Sequence, residues 1–474
     1  MLLLFIVLTI ALFALLSLGL LGLSTIEHKT VVQNGQSAQL VQILQSGIDS
    51  AAKAIDQADR PNLLDNPERF CSIIVVPAAL LPADFGPGRF TVFSPHIEQD
   101  QLRGIRFGLT RESAKISLET ILEWETESPG QGAQALQQLP GITPTIVDSI
   151  LDWLDADDVA RPLGAESAWY QQRQQTYRAR NAVPVALEEL LLIRDVERTM
   201  LFGDDPYLAF GADLETLQRS SDSPDNFANL FTPLEPSLEP FGQPESVAAT
   251  AWQFYLTPYS AEKLVNANGT VRVFLNEANL AFLESQLRLH LLDEESIQFI
   301  LAWRNANGTI NSPLDLLDAE VTLDSETRTS PFSCVEPVRY ERFLRLLDET
   351  TTDAAVVLRG RINVNEASRL VLEAVPELTP DLVTAILNQR RLDDPSQRHT
   401  VWLLAEGIVD ADLMEMLLRR LTTGGDVYRL QAIAFFEGVP MLSRAEAVLD
   451  ATVKPPRTVF FKDLTPLGLP ESEN

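Results

Sequence analysis

Three patterns of hydrophobic and polar positions succeed one another along the 474 residues. The first is an unbroken apolar run, MLLLFIVLTIALFALLSLGLLGL, with no charged side chain before Glu27. At about 1.5 Å per residue a helix from Met1 to Leu23 reaches across a ~30 Å hydrocarbon layer, so residues 1–24 are expected to form a transmembrane helix. A cleaved secretory signal fits less well, because the run exceeds a usual apolar core, lacks a positive start and ends without a small-residue cleavage site. Only Lys29 follows closely, which leaves the orientation open. Apolar residues then recur at helical spacing through QSAQLVQILQSGIDSAAKAIDQ without a proline. The helix is expected to run on until Pro61 and the Asp-Asn-Pro at 65–67.

The second pattern is short, alternating and β-like. CSIIVVPA, RFTVFSP and GIRFGLT lie near the start, and DVYRLQAIAFFEG, RAEAVLDAT and RTVFFKDL near the end. Separated by turns, they read as strands of one antiparallel sheet divided between the two ends of the chain. Everything between, from 116 to 424, has helical periodicity and reads as an insertion. The fold class is α+β: an N-terminal helix, a small antiparallel sheet and a large inserted α-helical domain. The expected divisions are 1–24, 25–115, 116–424, 425–465 and a tail, 466–474.

Within the insertion the pattern repeats. AKISLETILE, VRVFLNEANLAFLE and GRINVNEASRLVLE each open on a basic residue, Lys115, Arg272 or Arg361, followed by alternating apolar positions and an apolar helix. IVDSILDWLD, SIQFILAWRN and LVTAILNQRR supply a matching later stretch, giving a degenerate threefold repeat near 115–205, 271–321 and 360–421. Asn276 and Asn365 stand where N-caps are expected, with LPGITP and VPELTP as turns between paired helices. This is a helix-hairpin-helix-like pattern, familiar from DNA-binding proteins. Charge argues against that use: 66 Asp and Glu oppose 37 Lys and Arg, a net charge of -29. The turn around Gly141 runs into Asp148, Asp152, Asp155, Asp157 and Asp158; the second carries Asp293, Glu294 and Glu295; the third has Glu377 in place of glycine. The paired helices read as packing devices, and no nucleic acid is expected as a partner.

Candidate chemistry is sparse. Cys71 and Cys334 are the only cysteines, so a thiolate zinc site is excluded; one disulfide between them and two free thiols both stay open. His28, His96, His290 and His399 are scattered singly. GxSxG, P-loop, HExxH and GxGxxG patterns are absent, and the chain is not expected to be an enzyme. The densest constellation is DWLDADD, and Asp152, Asp155, Asp157, Asp158 and the later Glu166 are candidate ligands for calcium, which takes six to eight oxygens. An EF-hand register is missing, so a solvated acidic helix end is the competing reading. Trp169, Tyr170 and Tyr177 are expected to pack against neighbouring helices, and NANGT, at 266–270 and 305–309, to form turns.

The apolar helix, the short sheet, and then KISLETIL, LPGITPTIVDSILDWLDADDVARPLGAESAWY, NAVPVALEELLLIRDVERTMLFG and RINVNEAS in that order resemble the minor pseudopilin K family of type II secretion, the general secretion pathway protein K. The likeness covers 1–205 and 355–465, while the middle is less familiar and reads as an enlargement. It implies a pseudopilin sheet carrying a helical head at the tip of a periplasmic pseudopilus. It also implies partners among the I-like and J-like minor pseudopilins and the secretion machinery, and an inner-membrane anchor, single-pass through residues 1–24, with the bulk periplasmic. Calcium binding by some members of the family raises the standing of the acidic cluster. Family members begin with a leader cut after a glycine; here Met1 lies inside the apolar run, and an upstream start is the expected explanation. Phe5 replaces the early glutamate of most pilin subunits, as this family's pattern allows. The alternative is a membrane-anchored helix-hairpin-helix protein of DNA uptake.

Overall fold

The computed structural model describes residues 2–57, 63–77, 86–98, 100–172, 176–203, 247–248, 250–323, 326–391, 394–436 and 441–467. Helix α1 (Leu2–Asp56) occupies the start. Its last third buries Leu40, Ile43, Leu44, Ile48, Ala51 and Ile55, a stripe at three- and four-residue spacing that faces the sheet. Further up, Leu15, Leu18, Leu20, Leu21, Leu23 and Ile26 are exposed. Among the described residues no helix is long and apolar enough to cross a membrane. Most side chains of residues 1–14, where that expectation chiefly falls, lie outside the described set.

The sheet joins the two chain ends. Strands β1 (Ile73–Val76), β2 (Gly88–Glu98) and β3 (Gln101–Arg106) come from the first end, and β4 (Val427–Phe436), β5 (Leu442–Asp450) and β6 (Arg457–Asp463) from the second. Their order is β6–β5–β4–β2–β3, all antiparallel, with β1 beside β2. The join lies between β2 and β4, where Val92 faces Ala432 and Phe90 faces Ala434. Alternation in β4 sends Tyr428, Leu430, Ala432, Ala434 and Phe436 to the α1 side. Ile433 and Phe435 point the other way, onto Cys71 and Phe93. Cys71 is a free thiol of this second cluster, whereas Cys334 is a free thiol packed on the core of a helical unit described below. A Cys71–Cys334 disulfide is therefore absent, because the two side chains belong to separate cores.

Between Thr110–Arg111, which pairs with β4, and β4 itself the described residues form three helical excursions. Each begins on a two-residue strand and closes by pairing that strand in parallel with a later one. Ile116–Ser117 closes on Leu256–Thr257, Val273–Phe274 on Thr350–Thr351, and Ile362–Asn363 on Leu421–Thr422. The first contains α2 (Leu118–Glu127), α3 (Gln131–Gln137) and α4 (Pro144–Leu154); the second α5 (Leu280–Leu289), α6 (Glu294–Asn307) and α7 (Pro337–Glu349); the third α8 (Arg369–Glu373), α9 (Pro380–Gln389) and α10 (Ala411–Arg420). At the turn before α4, α6 and α9 stands one residue with positive φ: Gly141 at 69°, Leu291 at 58° and Glu377 at 72°. Two residues later Thr143, Asp293 and Thr379 cap the next helix.

The first and third excursions share one core, with Ile121, Trp124, Ile150 and Trp252 against Val371, Ile386, Trp402 and Leu417. The second has its own, around Leu283, Ile300, Phe332 and Phe343. It is carried on a stem in which Ala261–Lys263 pairs antiparallel with Val357–Arg359. The expected N-caps move by three residues: Asn279 and Ser368 cap α5 and α8. Asn276 instead exchanges two 2.8 Å hydrogen bonds with the backbone of Ile310, and Asn365 donates to the carbonyl of Gln397. These asparagines clasp the far side of their own repeats, and that long-range partner is what the local pattern omits.

Candidate metal centre

Helix α4 is amphipathic, starts on Thr143 with Pro144 in its first turn, and buries every residue from Ser149 to Leu154. Its end delivers Asp152 and Asp155 to one place. Asp152 is fully buried, and Arg161 meets it through the backbone N–H at 3.2 Å and through Nη1 at 2.9 Å. The same Nη1 lies 2.5 Å from Asp155 Oδ2. The return of the chain depends on Gly164, since a Cβ there would stand 1.9 Å from Asp152 Oδ2. Glu166 follows, 4% exposed, at the start of the turn Ser167–Tyr170.

The structure divides the five expected ligands. Oxygens of Asp155, Asp157 and Glu166 all lie within 4.8 Å of one another. Asp152 is committed to Arg161, and Asp158 faces Ser167 at the rim, with Asn181 and Glu166 also in reach. Both Glu166 oxygens and Asp155 Oδ1 are buried with no hydrogen-bond partner, a costly state for carboxylates. Burial raises the Glu166 pKa to about 8, and the negative charges of Asp152, Asp155 and Asp158 add to the effect. An oxygen-lined, anionic pocket of this kind suits a hard divalent cation, with Asp155 and Glu166 as inner ligands and Asp157 at the exposed rim. Arg161 and Gly164, which build the pocket, were not singled out in the sequence, because nothing local marks either as a partner of the acidic run.

Residues 118–209 match the family described as Type II secretion system (T2SS), protein K. Among solved structures, it is similar to the crystal structure of the GspK-GspI-GspJ complex from the enterotoxigenic Escherichia coli type 2 secretion system. That likeness is at 10% sequence identity and a TM-score of 0.32, over 91% of this chain and 99% of that one. The comparison with curated proteins finds no match.

The acidic pocket lies wholly inside the matched protein K segment, as do the aromatic residues beside it. Trp153 meets Tyr170 edge-on at 5.3 Å, Tyr170 stacks on Tyr177 at 5.1 Å, and the Tyr177 hydroxyl donates to the carbonyl of Leu192. Trp169 is covered by the Arg194 guanidinium. These rings are spent on packing. The protein K segment is tied to the sheet by Lys462 of β6, 2.6 Å from Glu188, and a buried ionic seam lies just before it in the chain. In the seam Glu112 accepts from Lys115 at 3.0 Å, from Arg429 at 3.0 and 3.2 Å, and from the Thr257 hydroxyl; Arg111 pairs with Glu366.

Proposed function

We propose that this chain caps the tip of a type II secretion pseudopilus, with α1 as its stem and the three helical excursions as its head. The carrying observation is the construction itself. The buried stripe of α1, from Leu40 to Ile55, holds a sheet into which the protein K segment is spliced between Arg111 and Val427, while the upper helix leaves an apolar surface from Leu15 to Ile26 exposed. In this reading residues 1–24 sit in the inner membrane, the head lies in the periplasm, and the exposed apolar surface meets the stems of I-like and J-like subunits. The crystal structure of the GspK-GspI-GspJ complex supplies the precedent for the choice of partners. Co-purification of the full chain with both subunits is the expected result. A chain that stays monomeric when mixed with both, or a deletion strain with undiminished secretion, would refute the assignment.

Asp155, Asp157 and Glu166 are proposed to hold one calcium ion that pins the end of α4 to the turn at Ser167. The ion would supply the positive charge that the orphaned oxygens lack, and no chemistry is assigned to it. The DNA-uptake alternative is disfavoured by the acidic side chains at all three turns; retention of duplex DNA that weakens with rising salt would revive it.

A further inference from the structure

The side chains of the ionic seam border a cavity of about 310 Å³ between the sheet and the third helical excursion. Its walls include Arg106 at the end of β3, Lys115, Arg390 just past α9, and Arg429 on β4, against Glu366 and Glu446. Two of these cations are already matched: Lys115 by Glu112, and Arg429 by Glu112 and Glu446. Glu366 is taken by Arg111. Arg106 and Arg390 have no carboxylate within salt-bridge reach among the described residues. Arg106 donates to the Ser94 hydroxyl, the Leu109 carbonyl and the Thr110 hydroxyl, and Arg390 to the carbonyl of Ala367. At longer range Glu366 is the foremost opposite charge for both arginines, followed by Asp65 for Arg106 and Asp100 for Arg390, which accept from the N–H groups of Phe107 and Leu370. Two half-buried guanidiniums without a direct ion pair, set in one cavity wall, stand out in a chain of net charge -29.

We propose that this cavity binds a small multivalent oxyanion, held by Arg106 and Arg390 and bridging the sheet to the third excursion. Guanidinium forks match the paired oxygens of phosphate and carboxylate groups. A cavity of this size lies at the lower end of the range for small-ligand sites. Burial lowers the pKa of both guanidiniums and outweighs the opposing pull of Glu366. The anion braces the joint between sheet and head, and this site is separate from the acidic pocket near Glu166.

The test is isothermal titration of the full chain in detergent with inorganic phosphate and, in a second arm, with citrate, chloride matched throughout. One saturable site for either anion is expected; phosphate alone identifies a phosphoryl-type ligand, citrate alone a carboxylate. Ser368 lines the cavity and caps α8, so Ser368→Asp keeps a good cap while placing a carboxylate in the anion's path. It should weaken binding roughly tenfold or more through like-charge repulsion, whereas Ser368→Asn should not. Arg390→Gln should abolish binding with the circular dichroism spectrum retained. No saturable heat from either anion in the millimolar range, or binding unchanged by Ser368→Asp, overturns the proposal.

Discussion

Glu112 is the carboxylate on which the join between sheet and head turns, and replacing it by glutamine tests the energetics of the seam. It is fully buried, and Lys115, Arg429 and Thr257 all donate to it. Burial alone would raise its pKa; Arg429 and Lys115 outweigh that and hold it at about 2, against an ordinary 4.5. At about 1.4 kcal/mol per pH unit, a depression of this size corresponds to about 3 kcal/mol of stability at neutral pH. Because the folded value is the lower one, this contribution is fully present above pH 4.5 and is lost as pH falls towards 2. Glu112→Gln keeps the shape but leaves Lys115 uncompensated and Arg429 with Glu446 alone, a loss of about 3–5 kcal/mol for a broken buried pair. Urea unfolding of both proteins across pH 2 to 7 measures it. The gap should be widest at pH 7 and narrow as Glu112 becomes protonated in the parent. A gap under about 1 kcal/mol at pH 7, or one that does not change with pH, would refute the electrostatic account.

Calcium added to chelator-stripped protein should raise the melting temperature by about 2–4 °C at a hundredfold excess over its dissociation constant, and Glu166→Gln should erase the rise. Scanning calorimetry decides it. Gly164→Ala places a methyl group on Asp152 Oδ2 and should cost about 1–3 kcal/mol in denaturant melts while lowering calcium affinity. Leu291 has a left-handed backbone and a side chain 72% exposed, so Leu291→Gly should stabilise the chain by about 1 kcal/mol; a loss of stability would show that the leucine packs more than its exposure indicates.

The halves of the sheet are readable from sequence because β2, β4 and β5 are runs of nine residues or more rich in apolar and aromatic side chains and closed by turns. A basic residue, Lys115, Arg272 or Arg361, stands just before the opening strand of each excursion. The strands that close each excursion are not readable, since Leu256–Thr257, Thr350–Thr351 and Leu421–Thr422 are too short to show any period and pair with residues far away. The equivalence of Gly141, Leu291 and Glu377 stays hidden for a related reason: only the glycine advertises positive φ, while tertiary packing imposes it on the other two. Within the acidic run, sequence names the carboxylates but not their division of labour. Arg161 bridges Asp152 and Asp155 and leaves Glu166 without a cation. The Arg106 and Arg390 cavity is assembled from positions nearly three hundred residues apart and leaves no linear trace.

The two-stranded stem beneath the middle excursion makes residues 261–359 a cassette. Ala261 and Arg359 face each other across a single rung, so the chain leaves and re-enters the head at one point. A lineage can therefore enlarge, trim or exchange this module without re-threading the stem, the sheet or the acidic pocket, and an engineer can join Ser260 to Gly360 by a short linker for the same reason.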